Sequence, residues 1–409
     1  MADTIYSKQG VVLSSGSANG AYAVGAMEAL FAGKSPSTGF RPLDPQVFSG
    51  SSIGSFSSSF LVSRMEETDG VSAAADLKRV WTEDIAQDLS RGHSGAFKIR
   101  GDLFRLFDPR YIAANPVQPL VELIEDSSVL AREGLQSLYK FARSDLPLPH
   151  RILNLVDLGN FISIEPYLEI IKETIQFDNI VRASRTLKIT ATNWSEGTLE
   201  TFSNQDLTDE LGPYIIQGSS AMPGLFPHVH IDNQAFADAA VLGYAKLAPA
   251  IDAGAFNLHL IYPDPPLSAF PEKMFWSTLD AIYRIFIAIW TDRLHEYIDT
   301  MHQIDHFKDE LDGLIAAGDL SREKAQRLFD TILPTDSFQG LIRHEALDQR
   351  LAVHRYFPHR EHAMGIMNFD RPRIEDLIRI GYEDTIHHDC EANGCVLPEG
   401  LEATFPQEE

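Results

Sequence analysis

Gly50-Ser51-Ser52-Ile53-Gly54 sets one serine between two glycines as Gly-x-Ser-x-Gly, the only such pentapeptide in the chain. A β-like run, Pro45–Ser49, precedes it and a helix-like run, Ser55–Arg64, follows. A sharp strand-to-helix turn of this kind holds a serine hydroxyl out for nucleophilic attack. Gly50 and Gly54 matter because side chains there would crowd the strained serine. The helix aims the positive end of its dipole at Ser52, which favours developing negative charge. The same residues would equally serve as a small-residue turn that only packs two elements.

A second turn lies upstream. Gly10–Ser14 reads as a buried strand, Ser15-Gly16-Ser17-Ala18-Asn19-Gly20 as a loop and Ala21–Phe31 as a helix. Small residues at a helix start present several backbone N–H groups together, as a phosphate cradle or an oxyanion hole requires. The loop lacks Gly-x-Gly-x-x-Gly and the Lys-Ser/Thr ending of a P-loop, so nucleotide binding gains little support. Two consecutive turns of a parallel sheet share one edge, which would set an anion-binding loop beside the serine as acyl transfer needs. Too little chain precedes Ser52 for the front half of an α/β-hydrolase. His228 and His230 are the nearest histidines to the α/β part, and both read as structural or surface residues.

The elements that must position these residues form an alternating pattern. Further strands are expected at Arg151–Asp157, Leu187–Asn193, Thr198–Phe202 and Phe256–Tyr262. Their apolar runs are continuous, as in strands covered on both faces. The expected fold class is α/β, layered around a mostly parallel sheet. From Pro271 onward helical periods dominate, over Met274–His306, Lys308–Ala317, Ser321–Ile332 and Pro372–Tyr382. The expected organisation is a catalytic domain over 1–270, with a helical insertion around 69–149, and a helical extension or cap over 271–409. Phe275, Trp276, Phe286 and Trp290 have helical spacing, suited to the core or to an acyl groove.

The 409 residues carry 34 Lys and Arg against 58 Asp and Glu, a formal charge of −24. Such a chain repels nucleic acid and gains little from anionic membranes. The longest strongly apolar run, Ile282–Trp290, contains Arg284 and has about half the roughly 20 residues a bilayer span needs. Met1–Gly10 carries no basic-then-apolar signal pattern. A cytoplasmic location is expected. Cys390 and Cys395 read as two free thiols, and His387-His388-Asp389-Cys390 as part of an exposed polar tail. No His/Asp/Glu cluster has convincing ligand spacing, so no metal and no cofactor is expected.

Val11–Leu30, Phe48–Gly54, Lys188–Asn193, Gly218–Pro227 and Phe236–Val241 together resemble the patatin-like phospholipases, in the order that family shows. The resemblance implies a three-layer α/β/α fold and a Ser-Asp dyad in place of a triad. Ser52 would be the nucleophile, and Asp238, in Asp238-Ala239-Ala240, the base. Ser15, Gly16, Ser17, Ala18 and Asn19 would form the oxyanion hole. It further implies hydrolysis of lipid acyl esters and a lipid partner; with the −24 charge, transient membrane contact would then run through apolar residues. The chain departs from the family pattern where Ser15 and Ser17 replace loop glycines, Asn19 replaces a basic residue and Ala239 replaces a glycine. An alanine at a positive-φ position would cost something like 1 kcal/mol. Acyl transfer, a non-lipid esterase, or a catalytically weakened binding protein on the same scaffold are the alternatives.

Overall fold

The computed structural model describes residues 8–14, 16–86, 95–99, 162–243, 246–264, 278–332, 350–359 and 367–398. Its strands are β1 (Lys8–Leu13), β2 (Val47–Ser51), β3 (Lys98–Ile99), β4 (Ile162–Ser163), β5 (Thr186–Asn193), β6 (Thr198–Ser203), β7 (Val229–Ile231), β8 (Gln234–Ala237), β9 (Ala255–Ile261) and β10 (Ala352–Tyr356). The helices used below are α1 (Ala21–Phe31), α2 (Ile53–Met65), α3 (Gly70–Arg79), α4 (Glu165–Thr174), α5 (Phe177–Arg182), α6 (Gly212–Ser219), α7 (Ala240–Gly243), α8 (Ala248–Asp252), α9 (Thr278–Ala317), α10 (Arg322–Ile332) and α11 (Arg371–Ile386). The expected strand Arg151–Asp157 lies outside the described residues.

The main sheet runs β10-β9-β1-β2-β5-β8-β7, with β6 also on β5. The pairs from β10 through β5 are all parallel, and β6, β7 and β8 pair antiparallel. Side chains alternate across the pleat and feed two cores. Val11 and Leu13 enter the core built with α1, α2 and α11, whereas Val12 enters the core built with α8, α9 and α10. Helices thus cover both faces, which explains the uninterrupted apolar runs of β1 and β9. The α/β/α expectation holds.

The C-terminal part supplies the expected helices and more. α9 is one continuous helix where the periodicity suggested a break near Phe307. β10 extends the sheet, and α11 packs on α1. The sequence hides β10 because Ala-Val-His-Arg-Tyr is short and two of its five residues are polar. The helices cross closely at two glycines. A Cβ on Gly25 would lie 1.8 Å from the carbonyl oxygen of Ile378, and one on Gly381 would lie 2.0 Å from that of Tyr22.

The expectation of an exposed polar tail at His387–Cys390 holds for His387 and Asp389 but not for His388 and Cys390. His388 is buried, and Val353 and Val396 exchange backbone hydrogen bonds of 2.7 and 3.0 Å. The segment packs against β10, a partner that local sequence does not reveal.

Candidate active site

Ser52 follows β2 and caps the start of α2, with φ 54° and ψ −130°. A non-glycine residue there is strained, and the surrounding backbone must hold it. The flanking glycines make this possible. A Cβ on Gly54 would sit 2.2 Å from the Leu13 carbonyl oxygen, and one on Gly50 would sit 2.6 Å from that of Gly54. The Ser52 N–H donates to Ser219 Oγ at 2.9 Å, and that hydroxyl donates to the Thr190 carbonyl at 2.7 Å. Ser219 therefore clamps the turn to β5.

Asp238 reaches the same place through the sheet. Both β6 and β8 pair with Thr192 and Asn193, so they occupy opposite edges of β5. β2 pairs with Thr186–Thr190 on the edge that β8 takes up beyond it. The residue after β8 therefore lands beside the residue after β2. Ser52 Oγ donates to Asp238 Oδ2 at 2.6 Å. The other carboxylate oxygen, Oδ1, accepts from the Ala240 N–H at 2.8 Å. Thr192 Oγ1 donates to the Asp238 carbonyl, and the Asp238 N–H donates to that of Ala221, both at 2.9 Å.

Burial raises the Asp238 carboxyl to about 6, against the pull of its bonds from Ser52 and the Ala240 N–H. The charged form is disfavoured because little water can reach it. Ala239 is absent from the positive-φ residues, so alanine is unstrained there. The conditional cost expected for losing that glycine does not arise.

The first turn is a short 3-10 helix, Ser17–Gly20, leading into α1. Ser17 holds φ 49°, a left-handed value that favours glycine. Gly16 and Ser17 line one cavity with Ser52 and Asp238. Ser15 lies outside the described residues. Asn19 does not line the cavity: its N–H donates to the Gly16 carbonyl at 2.9 Å, and its Oδ1 accepts from Arg373 Nη2 at 2.7 Å. Ala18 does not line the cavity either. A guanidinium from α11 instead reaches the loop whose own basic residue is missing.

The remaining wall is mostly apolar and drawn from distant segments. Ile164 precedes α4, Met222 and Phe226 follow α6, Trp290 lies on α9 and Phe369 precedes α11. Trp290 stacks on Phe286, with ring centroids 5.6 Å apart. Phe275 and Trp276 lie outside the described residues. His228 and His230 do not line the cavity, and His228 packs on Trp194 instead. Ser219, Thr192 and Arg373 were not individually legible, because their contacts span large sequence separations.

An apolar cleft thus ends in a serine bonded to a buried carboxylate, at the edge of a layered α/β sheet. The chain belongs to the patatin-like phospholipase family, whose model matches residues 11–251. Among solved structures it is similar to VipD from Legionella pneumophila, with 15% identity and a TM-score of 0.37 over 95% of this chain and 67% of that one. A search of curated proteins found no match.

Proposed function

We propose that this chain hydrolyses carboxylic esters of phospholipids or related lipids through an acyl-enzyme formed on Ser52. The observation that carries the reading is the 2.6 Å bond from Ser52 Oγ to Asp238 Oδ2 inside an apolar cavity. Ser52 Oγ attacks the ester carbonyl carbon while Asp238 takes its proton. The C–O bond to the alcohol then breaks, and Asp238 returns the proton to that alkoxide. Water attacks the acyl-enzyme, gives its proton to Asp238, and the fatty acid leaves as Ser52 is reprotonated. The raised carboxyl is a stronger base than an exposed aspartate, as abstraction from a hydroxyl requires. Backbone N–H groups at Gly16 and Ser17, with the N-terminus of α2, would stabilise the oxyanion.

The apolar wall supports an acyl chain as the bound group. Among the described residues, no helix is long and apolar enough to cross a membrane. With a charge of −24, access to lipid depends on apolar contact rather than attraction to anionic headgroups. Ile285 and Ile289 are exposed one turn apart on α9 beside Trp290, and offer such a contact.

Fatty-acid release from phosphatidylcholine micelles, followed from pH 4 to 9, tests the reading. Because the base must be deprotonated, kcat/KM should fall about tenfold per pH unit below about 6 and level off above it. Release that is flat across pH 6, or unchanged in Ser52→Ala, would overturn the reading.

A further inference from the structure

Four metal-ligating side chains meet beside the edge strand, away from the cavity wall. β10 contributes His354, and the segment after α11 contributes His388, Cys390 and Cys395. Cys390 Sγ lies 3.5 Å from His354 Nδ1 and 3.4 Å from His388 Nε2. Cys395 Sγ lies 3.4 Å from the same His388 nitrogen. All four donor atoms fall within 4.8 Å of one another. A tetrahedral zinc ion, with bonds of about 2.3 Å to sulfur and about 2.0 Å to nitrogen, separates its ligand atoms by roughly 3.3–3.8 Å. The three sulfur–nitrogen contacts fall in that range.

We propose that His354, His388, Cys390 and Cys395 bind one zinc ion in a closed, structural site that fastens the C-terminal segment to the sheet edge. Two thiolates would balance the ion's two positive charges. Sulfur and imidazole donors in a tetrahedral set favour zinc over magnesium or calcium, and four protein ligands leave no open position for catalysis.

The surroundings are those a ligand set needs. Asn393 Nδ2 donates to the Arg355 carbonyl at 2.8 Å. The Arg355 N–H donates to Cys395 Sγ at 3.3 Å. The His259 ring stacks on His354 with centroids 5.0 Å apart. Contacts of this sort orient ligands and are a regular part of metal sites. Ligand spacing along the sequence does not display this grouping, because His354 sits far upstream and the Val353–Val396 bridge brings the C-terminal segment beside it.

The site would also bear on the cleft. α11 leads directly into the three C-terminal ligands and carries Arg373 to Asn19. Fastening its far end would limit how far that helix can move.

The test is metal analysis of the full chain, purified under reducing conditions without a chelating column. About one zinc per chain is expected, falling at least tenfold in Cys390→Ser/Cys395→Ser. Wild-type protein stripped by chelator and titrated with cobalt(II) supplies a readout that does not depend on the variant's folding. One equivalent should give thiolate charge-transfer bands and tetrahedral ligand-field bands, both displaced by zinc. Three results would overturn the proposal. One is wild-type protein with negligible zinc and no cobalt bands. Another is zinc undiminished in a folded double variant. The third is a freshly purified chain two hydrogens lighter, with Cys390 and Cys395 joined as a disulfide.

Discussion

Asp238→Asn is expected to abolish ester turnover and, at the same time, to make the folded protein more stable at pH 8. The amide has nearly the same shape. Its oxygen can accept from the Ala240 N–H, and its NH2 can donate to Ser52 Oγ, so the turn should persist. An amide cannot take the serine proton, and losing general-base catalysis costs about 10²–10⁴ in rate. The stability change has the opposite sign. Asp238 has its carboxyl raised from 3.8 to about 6 by burial, so the fold disfavours the charged form. The favourable, protonated contribution is complete below pH 3.8 and lost as pH rises through about 6. Above that, ionisation destabilises wild type by about 2–3 kcal/mol, at 1.36 kcal/mol per pKa unit. Asparagine carries no such term. Urea unfolding of both proteins should therefore show a gap in stability that opens between pH 4 and 7 and favours the variant. Equal stabilities at pH 8 would mean that Asp238 is not held as a buried, perturbed carboxylate.

Gly25→Val should destabilise the protein by about 3 kcal/mol or more and take activity with it. The new Cβ would fall 1.8 Å from the Ile378 carbonyl oxygen, which is main chain and cannot swing aside. α1 and α11 would have to separate, and natural domains have only about 5–15 kcal/mol in hand. Separation would also withdraw Arg373 from Asn19, a 2.7 Å contact, and shift the cavity wall at Phe369. Gly313→Ala is the matching control. Gly313 is exposed on α9 with nothing within 4 Å of a new Cβ, so alanine should stabilise by up to about 1 kcal/mol. Thermal unfolding of the two variants would separate a packing requirement from a general intolerance of side chains. A Gly25→Val protein as stable as wild type would contradict the interlocked helices.

The two variants also mark what the sequence could and could not convey. The strand-turn-helix units around Gly16 and Ser52 were legible because each is local: an apolar run, a small-residue turn and a helix lie within some 20–30 residues. The β1–α1 boundaries follow directly from that pattern. Asp238 was legible only through the order of several family-like segments, since one aspartate among 58 acidic residues carries no local signal. Why it meets Ser52 is a matter of pairing. β8 takes over the edge of β5 that β2 leaves, and no periodicity records that exchange. Ser219, which holds the serine N–H, is 167 residues away from it. Arg373, which meets the loop at Asn19, is 354 residues away. β10 was missed because His354 and Arg355 break an already short apolar run. That omission also concealed the histidine opposite Cys390 and left the C-terminal segment looking like a solvated tail.

The proposed nucleophile can be tested without knowing the natural lipid. A fluorophosphonate bearing an alkyl chain should label the folded wild-type protein once, with the adduct mapped by peptide mass spectrometry to Ser52. Labelling should disappear in Ser52→Ala and slow by at least a hundredfold in Asp238→Asn at pH 8. No adduct on the folded wild type, or labelling of equal rate in Ser52→Ala, would contradict a Ser52 nucleophile activated by Asp238.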